Sequence, residues 1–172
     1  MVSPEAVPFA KTGGLADVAG ALPRELSRLG HRVSLVIPRY STSDWAAQGF
    51  KEWKRLAIPT ALGPIEAIVE QATLAGSGVQ VLAVRHDPFF ARPGLYQEAG
   101  RSYPDNLERF AFFSRAVPEL IAALMQETGW APDLLHAHDW QTALSIVYLK
   151  TLYSGQESCR GIGTIFTIHN MG

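Results

Sequence analysis

The 172-residue chain is short of several things that would steer its reading. Cysteine occurs once, at Cys159, so no disulfide can form within the chain, and a reducing, cytoplasmic setting is the expectation. The formal net charge is -1, which gives neither nucleic acid nor an anionic membrane an electrostatic reason to bind. No apolar run reaches the ~18 residues of a membrane-spanning helix, and Met1–Glu5 has neither the basic region nor the apolar core of a secretory signal. Internal repeats and low-complexity segments are lacking, and there is no G-x-G-x-x-G or Walker phosphate loop.

What remains is the composition of one α/β domain. Hydrophobic residues make up 47% and charged residues 18%, and the chain is long enough to bury a core. Leu15, Val18, Ala19, Leu22, Leu26 and Leu29 recur at helical spacing, with Gly30 as a stop and Pro23 as an expected kink. Val33–Ile37 reads as a buried strand ended by Pro38, and Ser41–Gly49 as a loop or short helix. Ile65–Leu74 and Val79–Val84 read as strands of a hairpin joined by Ala75-Gly76-Ser77-Gly78. Arg85–Pro104, with three prolines and two glycines, reads as an ordered loop.

Asp105 opens the clearest helix, and Glu108 three residues on gives the spacing of a capping box. Pro118 predicts a bend there, and Gly129 an end. A strand then runs from Leu134 into His136-Ala137-His138-Asp139-Trp140, a helix spans about 141–153, and Ile162–Ile168 is a last strand. This alternation predicts a Rossmann-like parallel sheet with helices on both faces.

In such sheets ligands bind beyond the carboxyl ends of the strands. Three polar clusters fall there. Lys11–Asp17 is a glycine-rich turn feeding a helix N-terminus, where backbone N–H groups and the helix dipole favour an anion. Gly13 and Gly14 permit close backbone approach, Lys11 adds a positive charge, and Asp17 is either part of the site or a dipole partner. In the second cluster His136 and His138 share a strand face, leaving Asp139 on the other face or in the loop. Two histidines and a carboxylate could hold a metal, or His136 could be a core residue. In the third, His169 and Asn170 sit at a strand tip, where both could hydrogen-bond sugar hydroxyls or simply close a turn. Asn106 and Arg109 lie one turn apart, and Arg109 could hold a carboxylate such as Asp139 or be a solvated helix residue.

Taken together, these stretches resemble the bacterial glycogen synthase and plant starch synthase family, retaining glycosyltransferases of the GT-B fold. Pro8-Phe9-Ala10-Lys11-Thr12-Gly13-Gly14-Leu15-Ala16-Asp17-Val18 is similar to that family's K-T-G-G-L signature. Gly30-His31, Pro38-Arg39-Tyr40, Asp105-Asn106 with Arg109-Phe110, His136–Trp140 and Thr167–Asn170 follow in the family's order over nearly the whole chain.

The resemblance implies a partial N-terminal, acceptor-side domain spanning 1–172. The first strand, due before Ser3, would be all but missing, as would the C-terminal nucleotide-binding domain, so the segment alone would be inactive. It implies transfer of glucose, with retention, from ADP-glucose to the non-reducing end of an α-1,4-glucan (glycogen or starch), with no metal or other cofactor. The setting would be the cytoplasm, or the plastid in a plant. By motif, Lys11 and the Gly13 and Gly14 amides would meet the donor diphosphate, and Asp17 would shape the same loop. Asp139 would orient substrate near the reacting carbon and His169 would bind the transferring glucose. Asn106, Arg109 and Asn170 would complete the substrate-binding set. A variant with a UDP-sugar donor, a non-catalytic glucan-binding module and a metal-dependent hydrolase on His136, His138 and Asp139 remain as other readings.

Overall fold

A computed structural model describes residues 1–170. Its strands are β1 (Ser34–Pro38), β2 (Lys51–Ile58), β3 (Ile65–Thr73), β4 (Gln80–Arg85), β5 (Gln97–Glu98), β6 (Arg101–Ser102), β7 (Leu134–His138) and β8 (Gly163–Thr167). The α-helices are α1 (Gly14–Arg28), α2 (Asp87–Phe90), α3 (Asn106–Thr128) and α4 (Trp140–Lys150), with one 3-10 turn at Glu157–Cys159.

The main sheet runs β2-β3-β4-β1. β1 and β4 are parallel, from Ser34 opposite Gln80 to Pro38 opposite Val84. β7 and β8 are also parallel, from Leu134 opposite Gly163 to His138 opposite Thr167. The two groups are joined by Met1–Ser3. Val2 bridges in parallel to Val36 of β1 and to Ala137 of β7. Its N–H donates to the His136 carbonyl at 2.8 Å, and its own carbonyl accepts from His138 N–H at 3.1 Å. The position of the first strand, expected to be all but empty, is thus held by a short central rung. It is parallel to its neighbours, so Glu5 leaves it at the edge where β7 ends.

The parallel core matches the sequence pattern, and β3 with β4 forms the expected antiparallel pair. β2 was not foreseen. It adds a further antiparallel strand, so the sheet is mixed rather than wholly parallel. Its sequence, KEWKRLAI, is exposed along most of its length, as an edge strand can be, and its charges mask the strand pattern.

Leu35, Ile37 and Val81 to Val84 are all inaccessible to solvent. Consecutive strand residues point to opposite faces, so both faces of this half are covered. Neither internal proline ends its helix. Pro23 and Pro118 are both buried, and α1 and α3 continue past them. Gly129 closes α3 in the left-handed conformation at φ 68°, its N–H donating to the Met125 carbonyl. The expected capping box at Asp105 does not form. Arg92 takes the Asp105 carboxylate through two bonds of 2.7 and 2.6 Å, which also hold that carboxyl below its usual range.

Candidate functional site at the strand tips

β7 ends in an unusual residue. Asp139 has φ 59° and ψ 172°, a backbone region that non-glycine residues enter at a cost of roughly 1–3 kcal/mol. Its side chain holds it there. Asp139 is buried, and Oδ1 accepts from the His169 N–H at 2.6 Å and the Asn170 N–H at 3.4 Å, while Oδ2 accepts from Asn170 Nδ2 at 3.3 Å. The Asp139 N–H extends the ladder by donating to the Thr167 carbonyl at 2.9 Å. One carboxylate therefore fixes the turn after β8, bringing Asp139, His169 and Asn170 into direct contact.

The two strand-tip histidines are also linked. His138 Nδ1 and His169 Nε2 lie 2.9 Å apart, and the rings are 24° from coplanar. As the alternation predicted, His136 and His138 share a face, and their rings stack with centroids 4.1 Å apart. His136 Nε2 pairs with Thr167 Oγ1 at 2.7 Å. Burial, and then the neighbouring His136 and His169, hold His138 neutral down to about pH 3. The stacked rings and the engaged Asp139 carboxylate do not converge on a common point. Among the described residues no group of three or more His, Cys, Asp or Glu side chains is arranged to hold a metal ion.

The glycine-rich turn is organised by a residue that sequence reasoning did not single out. Glu5 is buried, and its carboxylate accepts from the Thr12 N–H, from Thr12 Oγ1 at 2.5 Å and from the Gly13 N–H at 3.3 Å. It also accepts from the Tyr96 hydroxyl at 2.7 Å. Burial, and then Tyr40, Glu5 and Asp139, push the Tyr96 phenol well above its ordinary range. Tyr96 thus ties the 85–104 segment to the Glu5-held turn. Glu5 lies seven positions before Thr12, and Tyr96 sits in an irregular loop, so neither carried a periodic or spacing signal.

Lys11 Nζ contacts both Asp17 oxygens, at 2.7 and 2.8 Å, with both side chains about half exposed (51% and 57%). Gly13 caps α1 without any side-chain cap. At Gly13 and Gly14 an added Cβ would meet nothing within 4 Å, and neither has positive φ. Nothing within reach of an added Cβ demands glycine at these two positions, and the Gly13 N–H, expected to meet an anion, is donated to Glu5. Gly20 differs, since a Cβ there would lie 2.7 Å from the Val7 carbonyl oxygen.

Asn106 and Arg109 do not face this rim. Arg109 is fully buried and donates to the Phe89 carbonyl at 2.7 Å, the Leu95 carbonyl at 3.0 Å and Asn106 Oδ1 at 2.6 Å. Asn106 Nδ2 donates to the Tyr96 carbonyl at 2.9 Å. Arg109, with its donors taken by these groups, makes no ion pair with Asp139. The two residues pin the 85–104 segment, and with it Tyr96, because a buried guanidinium must spend its donors on nearby carbonyls.

This parallel core, with a glycine-rich helix start, a strained aspartate and a paired histidine at its edge, shares its fold with part of a GT-B glycosyltransferase, a starch synthase catalytic domain. The chain belongs to the starch synthase catalytic domain family, whose model matches residues 1–172. It is 42% identical over 173 residues to glycogen synthase 1 of Geobacter sulfurreducens, covering 99% of this chain and 34% of that protein. It is 42% identical over 174 residues to the glycogen synthase of Syntrophotalea carbinolica, covering 100% of this chain and 34% of that protein. Among solved structures it is similar to the catalytic domain of starch synthase IV from Arabidopsis thaliana bound to ADP and acarbose. That match has a TM-score of 0.81 and 30% identity, covering 98% of this chain and 33% of that one. The chain thus spans about a third of the length of these relatives.

Proposed function

We propose that this chain forms the acceptor-side part of a retaining glucosyltransferase that moves glucose from ADP-glucose to the non-reducing end of an α-1,4-glucan, in the cytoplasm. The observation that carries this is the shared rim. The chain leaves the Val2 rung at the edge where β7 ends, and there Glu5 holds the turn that opens α1 while Asp139 holds His169 and Asn170 at the strand tip. The family and the ADP and acarbose of the starch synthase IV complex support the donor and the glucan.

The chemistry asked of these residues is placement and charge stabilisation rather than covalent catalysis. The α1 N-terminus and Lys11 would take the donor diphosphate. Lys11 is paired with Asp17, but an exposed pair of this kind is worth only about 0–1 kcal/mol. A diphosphate can therefore draw Lys11 away at little cost. His169 would hold the transferring glucose. Asp139 would act by fixing the His169–Asn170 turn, since its oxygens are already committed to that turn.

The test is transfer of labelled glucose from ADP-glucose to glycogen by the full-length protein. Lys11→Ala and His169→Ala should each lower kcat/KM by on the order of a hundredfold while the fold persists. Wild-type rates in either variant would refute the assigned role.

A further inference from the structure

His138 makes one contact that the proposed reaction does not use. Its Nδ1 faces His169 Nε2 at 2.9 Å, while its own Nε2 is buried with no hydrogen-bond partner among the described residues. An N···N contact this short needs one proton between the two rings. We propose that His138 is a positioning residue that sets the tautomer of His169, by donating its Nδ1–H to His169 Nε2 and leaving Nδ1–H as the donor that His169 offers to substrate.

The alternative arrangement puts the proton on His169 Nε2. His138 would then carry its own proton on Nε2, as a buried N–H with nothing to receive it. Orphaned buried donors are the rarer defect in folded proteins, and an orphaned ring lone pair is the milder one. The neighbours enforce a neutral donor rather than a cation. His136 stacks on His138, His169 meets its Nδ1 edge, and the residue is 1% exposed. Its tendency to remain uncharged well into the acid range agrees with this. The second anchor is the Asp139 carboxylate on the His169 N–H, which fixes the backbone while His138 fixes the ring. The orientation of the His169 ring and the nitrogen that carries its proton are thus set by the chain itself.

The idea rests on the reading that His169 binds the transferring glucose, but its two parts can fail separately. In the full-length protein labelled at histidine with nitrogen-15, ring-nitrogen shifts and their couplings to carbon-bound ring protons report the tautomer. The expected result is protonated Nδ1 on both His138 and His169, and a proton on His169 Nε2 would overturn the proposal. In the transfer assay, His138→Phe keeps a flat ring but has no donor, and should lower kcat roughly ten- to a hundredfold with little change in KM. His138→Asn, whose amide can stand in for Nδ1–H, should recover most of that loss and keep His169 in the same tautomer. Equal activity of both variants with wild type, or equal loss in both, would overturn the positioning role. If the tautomer is as expected but His169→Ala transfers glucose normally, the reading of His169 as sugar ligand falls instead.

Discussion

The β1–β4 half and the β7–β8 half of this sheet are built to different standards. In the first, Leu35, Ile37 and Val81 to Val84 are fully sealed. In the second, Leu135 and Ala137 of β7 are buried as well, while Ile165, Phe166 and Ile168, along and just beyond β8, are 44%, 42% and 58% exposed in this stretch of chain. The strained Asp139 and the paired histidines sit at the tips of β7 and β8. Strain and buried polar groups cost stability, so a domain can carry them only where another region supplies the cohesion. Here β1 and β4 supply apolar surface buried on both faces, and the tip of β7 carries the polar cluster, with His138 and Asp139 themselves buried.

That division can be broken by experiment. The largest effect is expected from Leu82→Ala, which opens a cavity in a fully buried strand and should cost about 2–5 kcal/mol in urea unfolding. A loss below about 1 kcal/mol would show that the first half does not supply the cohesion.

Acid should act next, and through the tip of β7. Folded His138 stays neutral down to about pH 3, whereas the unfolded chain protonates it near its ordinary value of about 6.5. Below pH 6.5 the unfolded state therefore binds one proton more, and stability falls by up to about 1.4 kcal/mol per pH unit from this group. Its contribution is fully present above pH 6.5 and levels off near 3. His136, lowered in the same direction, adds to it. Unfolding curves between pH 7.5 and 5 should show a flatter slope for His138→Asn than for wild type, and equal slopes would remove His138 as the cause. The smallest effect is expected from Phe166→Ala on the exposed strand, about 1 kcal/mol or less in the same unfolding assay.

The order of elements was legible because the apolar runs of β1, β4 and β7 and the helical stripe of α3 are set by burial, which periodicity reports. β2 was not, because an edge strand with little buried surface carries charges where a core strand would carry valine. At the rim, Asp139, His169 and Gly13 were legible as polar or glycine residues at strand and helix ends. The same rule misled for Arg109, which sits in a helix stripe but turns inward to satisfy a loop. Glu5 and Tyr96 were invisible because their importance comes from a contact 91 positions apart in sequence. No local pattern encodes such a contact.

The Glu5 carboxylate has one more consequence. Four donors from Thr12, Gly13 and Tyr96, all belonging to the chain itself, converge on it. The backbone of the glycine turn is therefore held in one shape by folding itself, and an arriving anion has almost no chain freedom left to quench. Glycine, the residue with most mobility to lose, is here immobilised in advance by an acid that never needs to touch what binds.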